Sequence, residues 1–224
     1  MRGPSSRVER RVHAAWDSRP ITSQQSLSER GPPWEGIGAA PVPETHRLKT
    51  KICLVGDHAV GKTSLIRRFV LDTFDDRYLM TLGTKVTKKE VDISFPDRGL
   101  VLKVDMAIWD IMGQHGFLDL LKDSYFTGAH GIIAVLDPTR STTLDTLGVW
   151  IRSVERVAGR VPTLIAMNKC DIEGQHEYGV KDVERIARGL NCGFLTTSAK
   201  TGDNVETIFQ RLGSAVGQHQ MRLS

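Results

Sequence analysis

No run of about 18 apolar residues occurs in the 224-residue chain, so no helical membrane span is expected. Cysteine is scarce: Cys53, Cys170 and Cys192 lie far apart with no paired spacing. That argues against a disulfide framework or a zinc site and for a reducing compartment. Cys53, inside an apolar run, reads as a buried and chemically silent thiol. Proline nearly vanishes after residue 46, because six of the nine lie before it. A net charge of +4 hints at nucleic acid or an acidic surface. Most of that balance belongs to residues 1–50, and the remainder is close to neutral. A nucleic-acid-binding core is therefore not expected.

What is present divides at the proline boundary. Residues 1–46, with Gly31-Pro32-Pro33 and Ala40-Pro41-Val42-Pro43, read as a disordered or linker-like basic extension. Within it, Val8, Val12, Ala15 and Trp16 would share a helical face opposite Arg7, Arg10 and Arg11. A solvated leader and a surface anchor or transit segment both remain open there. Residues 47–224 read as one globular domain in which strand and helix patterns alternate. Lys51–Val55, Gly131–Leu136 and Thr163–Met167 are short apolar runs of the buried parallel-strand kind, and Cys192–Thr196 is a last strand. Lys85–Phe95 and Leu100–Trp109 flank the turn Pro96-Asp97-Arg98-Gly99 as a hairpin. Helical spacing joins Leu65, Ile66 and Phe69, then Leu144 to Ala158, then Lys181–Arg188 with Gly189 as terminator. A final helix carries Val205, Ile208, Phe209 and Leu212 behind Asp203 or Asn204 as cap. The expected fold is α/β, with helices on both faces of a mostly parallel six-stranded sheet and one antiparallel edge strand. Lys85, Lys88 and Lys89 on that edge read as guards against mispairing, with effector contact as the alternative.

Gly56-Asp57-His58-Ala59-Val60-Gly61-Lys62-Thr63, followed by Ser64, fits G-x-x-x-x-G-K-[ST] between a strand and a helix. The glycines let successive amides face a phosphate, and the helix start adds its positive dipole end. Lys62 would neutralise the outer phosphates, and the Thr63 hydroxyl would hold Mg²⁺. The loop makes this a P-loop NTPase three-layer fold, but it does not choose a base.

Asn168-Lys169-Cys170-Asp171 follows the third buried strand. The Asp171 carboxylate would accept the N1–H and N2–H₂ edge of guanine, a donor pair that adenine lacks. After the last strand, the backbone of Ser198-Ala199-Lys200 would hold guanine O6.

With these loops in this order, residues 49–217 resemble the Ras superfamily of small GTPases, most of all its Rab-like members. The resemblance covers Trp109-Asp110-Ile111-Met112-Gly113-Gln114, where it implies that Asp110 reaches Mg²⁺ through water, Gly113 senses the terminal phosphate and Gln114 orients the attacking water. It implies that Thr81 contacts Mg²⁺ and the terminal phosphate in the triphosphate state, and that Phe74 packs on the guanine edge. Plain core packing for Phe74 and a strand start at Thr81 are the alternatives. The implied protein is a switch that binds GTP or GDP, hydrolyses GTP with Mg²⁺, and signals to effectors through two switch loops. An exchange factor and an activating protein are the further implied partners. No arginine candidate is evident near Thr81; Arg77 reads as a solvated side chain.

Three departures stand out. His58 and Ala59 occupy positions where the family has small residues, often Gly or Ser; His58 either slows hydrolysis or swings into solvent. Met112 and His115 stand where the family has alanine and glutamate. No cysteine follows Cys192, so prenylation, and with it a stable membrane anchor, is not expected, and a cytoplasmic location is. The alternatives are a nucleotide-binding scaffold with little hydrolysis, a P-loop ATPase or kinase, and a nucleic-acid-binding tail.

Overall fold

The computed structural model describes residues 44–75, 81, 83–113 and 123–223, which belong to one compact unit. Six strands form one sheet in the order β2-β3-β1-β4-β5-β6. They are β1 (Glu44–Val55), β2 (Thr84–Phe95), β3 (Leu100–Ile111), β4 (Gly131–Leu136), β5 (Thr163–Met167) and β6 (Gly193–Thr196). Only β2 runs antiparallel, against β3; every other pairing is parallel. Among the described residues, the longer α-helices are α1 (Lys62–Leu71), α2 (Thr142–Ala158), α3 (Val180–Gly189) and α4 (Val205–Leu223). This is the expected α/β three-layer fold with its antiparallel edge.

Strand pleating sorts the apolar runs onto two faces. On β1, Ile52 and Leu54 join the layer under α1 and α4, while Cys53 and Val55 join the layer under α2 and α3. On β4, Ile133 and Val135 face the first layer, and Ile132, Ala134 and Leu136 the second. All six residues of β4 are buried, which is why a run without alternation reads as a central strand. In the first layer, the Phe69 ring of α1 stacks on Phe209 of α4 at 4.0 Å between centroids. In the second, Trp150 and Phe126 are among the largest fully buried side chains.

The structure differs from expectation in three places. β1 starts at Glu44, not near Lys51, and its first half pairs with β3 alone. That half is polar and mostly exposed, so it carries no hydrophobic period. α3 runs through Gly189, and the left-handed residue beyond it is Asn191 at φ 52°. Asparagine tolerates that conformation, so the glycine is not needed as terminator. Lys89 does not guard the edge: its ammonium donates to the Phe69 carbonyl near the end of α1 and lies 4.3 Å from the Phe69 ring centroid. A cation there complements the helix dipole.

The strand order reverses around β1, between β3 and β4, and the phosphate loop leaves β1 at that switch point.

Phe209→Ala should cost about 3–5 kcal/mol, because it empties a fully buried stacked position. Urea denaturation checks this against Leu71→Ala, an exposed apolar site expected to stay within about 0.5 kcal/mol.

Candidate functional site

Gly56 leaves β1 at φ 134°, and a Cβ there would lie 2.4 Å from the Val135 carbonyl oxygen. Gly61 sits at φ 99°, where a Cβ would lie 2.2 Å from the Asn168 amide nitrogen. Both glycines are therefore dictated by close approach as well as by backbone angle. Ala59 between them is also left-handed, at φ 58°. The loop curls around Lys62, whose Nζ donates to the carbonyls of Gly56 and Asp57, each at 2.7 Å. Burial draws the Lys62 pKa down to about 8, opposed by Asp110 and Asp57 and reinforced by Arg140.

A cavity of about 450 Å³ opens over the loop. His58, Ala59, Gly61, Lys62, Thr63 and Ser64 line it. Phe74, Thr81, Gly113, Asn168, Lys169, Asp171, Ala199 and Lys200 line it as well. Gly56, Asp57, Val60 and Ser198 are not on that lining. Val60 and Ser198 are fully buried behind it. Phe74 both lines the cavity and packs on the first apolar layer. Gln114, Arg77 and His115 lie outside the described residues.

Three side chains converge beside Lys62. The Thr63 hydroxyl is 3.0 Å from that of Thr81 and donates to Asp110 Oδ2 at 2.5 Å. Asp110 is 2% exposed, yet its Oδ1 has no hydrogen-bond partner among the described residues. Burial raises its pKa, against the pull of Thr63, Lys62 and Lys85. A buried carboxylate oxygen left unpaired is costly, and a hard cation fits it. Two hydroxyls and a carboxylate form an oxygen donor set suited to Mg²⁺. Gly113 packs directly on the loop: a Cβ there would lie 2.4 Å from His58 N. Met112 N–H donates to the Gly83 carbonyl at 3.1 Å, tying the stretch after β3 to the stretch before β2.

The base loops are fastened to each other and to the phosphate loop. Asn168 Nδ2 donates to the Val60 carbonyl at 2.9 Å, and its Oδ1 accepts from Ala199 N–H at 3.1 Å. Cys170 N–H donates to the Thr197 carbonyl at 3.1 Å. Ser198 Oγ donates to Asp171 Oδ1 at 2.6 Å, which fixes the carboxylate at the rim. Cys53 is buried, and burial pushes its thiol up to about 12.

Sequence reasoning missed two anchors of this arrangement. Asp137, 1% exposed at the end of β4, accepts from Lys169 Nζ at 2.5 Å and from Arg140 Nε at 3.2 Å. Burial raises the Asp137 pKa, but the bonds from Lys169 and Thr139 outweigh it and hold the carboxyl below its usual range. Arg140 Nη2 then donates to the His58 carbonyl at 2.8 Å, so one buried carboxylate links the base loop to the phosphate loop. The second anchor is on α2: Trp150 Nε1 donates to Asp57 Oδ1 at 2.7 Å, and Thr146 Oγ1 to Oδ2 at 3.0 Å. A polar residue at the carboxyl end of a wholly apolar strand was the available signal for Asp137. Nothing local marks Arg140, Thr146 or Trp150.

Residues 51–218 match the family model described as Ras family. Ras-related protein Rab-13 of Bos taurus is 34% identical over 163 residues, 72% of this chain and 77% of the relative. Ras-related protein RABD2c of Arabidopsis thaliana is 34% identical over 167 residues, 74% and 79% of the two chains. Ras-related protein Rab-1A of Dictyostelium discoideum is 33% identical over 175 residues, 78% and 83%.

Arg140→Ala should speed nucleotide release about 3- to 10-fold, the worth of one charge-assisted hydrogen bond partly open to water. Stopped-flow release of a fluorescent GDP measures it, and Asp137→Asn should give at least as large an effect.

Proposed function

This chain belongs to the Ras family, and from that footing we propose that it is a Mg²⁺-dependent guanine-nucleotide switch that hydrolyses GTP to GDP and phosphate. Its Rab-like relatives make it a small GTPase in general. The observation that supports the finer reading is the cavity lined by Lys62, Thr63, Thr81 and Asp171, with Asp110 accepting the Thr63 hydroxyl. Asp171 at the rim, held by Ser198, would accept the two donors of the guanine edge. The Gly56–Thr63 loop and Ser64 would surround the phosphates, with Lys62 against the outer ones.

Thr63, Thr81 and Asp110 would hold Mg²⁺, which when bound neutralises charge on the outer phosphates. In the transfer, a water oxygen bonds to the terminal phosphorus as the bond to the bridging oxygen breaks. The bridging oxygen leaves on GDP. Gln114 would orient that water, and Lys62 would stabilise the negative charge that shifts onto the bridging oxygen. The site works by positioning and charge, with no covalent step on the protein. Arg140 is engaged by Asp137 and the His58 carbonyl. An activating protein would supply an arginine worth about 10³–10⁵-fold over a slow unaided turnover.

Loss of the terminal phosphate would release Thr81 and Gly113. The hydrogen bond between Met112 and Gly83 would let the two stretches respond together. Effectors would read the result, and an exchange factor would reset it. We place residues 47–224 as the switch domain and 1–46 as its linker-like extension, in a cytoplasmic protein. Among the described residues, no helix is long and apolar enough to cross a membrane.

His58 is exposed at the cavity mouth, which keeps a slow or non-hydrolysing scaffold as the second reading. Timed hydrolysis of pre-bound GTP separates the two. Phosphate release should require Mg²⁺, and GTP held unhydrolysed with an activating protein present would favour the scaffold. His58→Gly should accelerate that release if the imidazole crowds the water; an unchanged rate assigns the ring to solvent.

Asp171→Asn should weaken GTP binding about 10- to 100-fold, since one acceptor becomes a donor facing a donor. Competition of labelled GTP by unlabelled ATP should fail for the native chain. Bound phosphates push the Lys62 pKa back up from about 8. A group whose pKa rises on binding contributes its full affinity below the free value and loses it as pH climbs above that value. GDP binding should therefore take up a proton at about pH 8.5 and none at about pH 6.5. Calorimetry in two buffers of different ionisation enthalpy reads this uptake.

A further inference from the structure

Lys85 stands directly opposite Asp110 in the antiparallel register of β2 and β3. Opposed residues of such a pair project on the same face, with Cβ atoms about 4.5–5.5 Å apart. The two also line one concavity of about 740 Å³ with Thr63, Arg67 and Phe74, on the β2 side of the phosphate loop. Lys85 is exposed, so its ammonium rides on a flexible stem and can approach Asp110 from the solvent side. Lys62 lies on the loop side, next in sequence to Thr63, whose hydroxyl donates to the same carboxylate. The buried Oδ1 lacks a hydrogen-bond partner among the described residues, and it is the atom that gains most from a cation.

We propose that Lys85 is a cation facing the metal carboxylate, opposing Mg²⁺ at Asp110 and so setting how much free Mg²⁺ this protein needs to retain its nucleotide. The inference rests on the Mg²⁺ site proposed above. Two positive charges a few ångströms apart near a surface repel each other appreciably, and salt screens that repulsion. Lys85 therefore acts on metal affinity as a positioned charge. It need not touch the nucleotide. The protein holds GDP loosely where Mg²⁺ is limiting and firmly where it is abundant.

The test follows release of a fluorescent GDP from the full chain across a titration of free Mg²⁺, for the native protein, Lys85→Gln and Lys85→Arg. The native midpoint should lie about tenfold above that of Lys85→Gln, and Lys85→Arg should match the native value. The gap should shrink at about 1 M salt, where the Debye length is about 3 Å. If Mg²⁺ slows release in all three with coincident midpoints, the role of Lys85 is overturned while the metal site stands. A Lys85→Arg midpoint that follows Lys85→Gln also overturns it, because charge would not be the cause. If Mg²⁺ leaves release unchanged in the native chain, the metal site itself fails, and the inference with it.

Discussion

The constraint on which the site depends is the burial of one ammonium. Lys62 is 7% exposed, with its Nζ held by two loop carbonyls and its pKa drawn down by burial. A charge placed there is tolerable only if the surrounding dipoles and carboxylates are fixed in advance. The rest of the fold supplies that fixing. Gly56 and Gly61 let the loop close against Val135 and Asn168, Asp110 rises from β3 on one side, and Asp57 is clamped by α2 on the other. When a phosphate arrives, it meets a positive centre whose desolvation already belongs to the folded state.

The sheet order explains why so many separate segments can serve one ammonium. Because β1 is central, loops from β1, β3, β4, β5 and β6 all end on the same rim. Hydrogen bonds then run between loops as well as within them: Asn168 to Val60, Cys170 to Thr197, and Asp137 to both Lys169 and Arg140. A disturbance at the base loop therefore has a direct hydrogen-bonded route to the phosphate loop.

How much of this was legible depended on whether a residue's role is local. The Gly56–Thr63 loop, the Asn168–Asp171 loop and the buried strands announce themselves through spacing and composition, and the structure brings His58, Lys62, Thr63, Asn168, Lys169 and Asp171 to one cavity. The amino half of β1 could not be read, because its polar residues gain strand conformation from β3 and not from a hydrophobic face. Lys89 looked like an edge guard because spacing does not reveal that the end of α1 lies above it. Asp137 was half legible as an odd polar residue ending an apolar strand. Arg140 and Trp150 were not, since each acts on a carbonyl or carboxylate more than 80 positions away. Gly189 and Asn191 show a smaller failure: two residues competed to end α3, and the second did.

The bond from Trp150 to Asp57 carries a spectroscopic consequence. An indole that is 1% exposed and donates to a carboxylate of the ligand loop feels that anion as a local field on its excited state. Any rearrangement of the Gly56–Thr63 backbone that moves Asp57 would change that field and with it the emission of Trp150. The molecule thus contains its own optical gauge of loop geometry, installed without a label at the point where α2 grips the phosphate cradle.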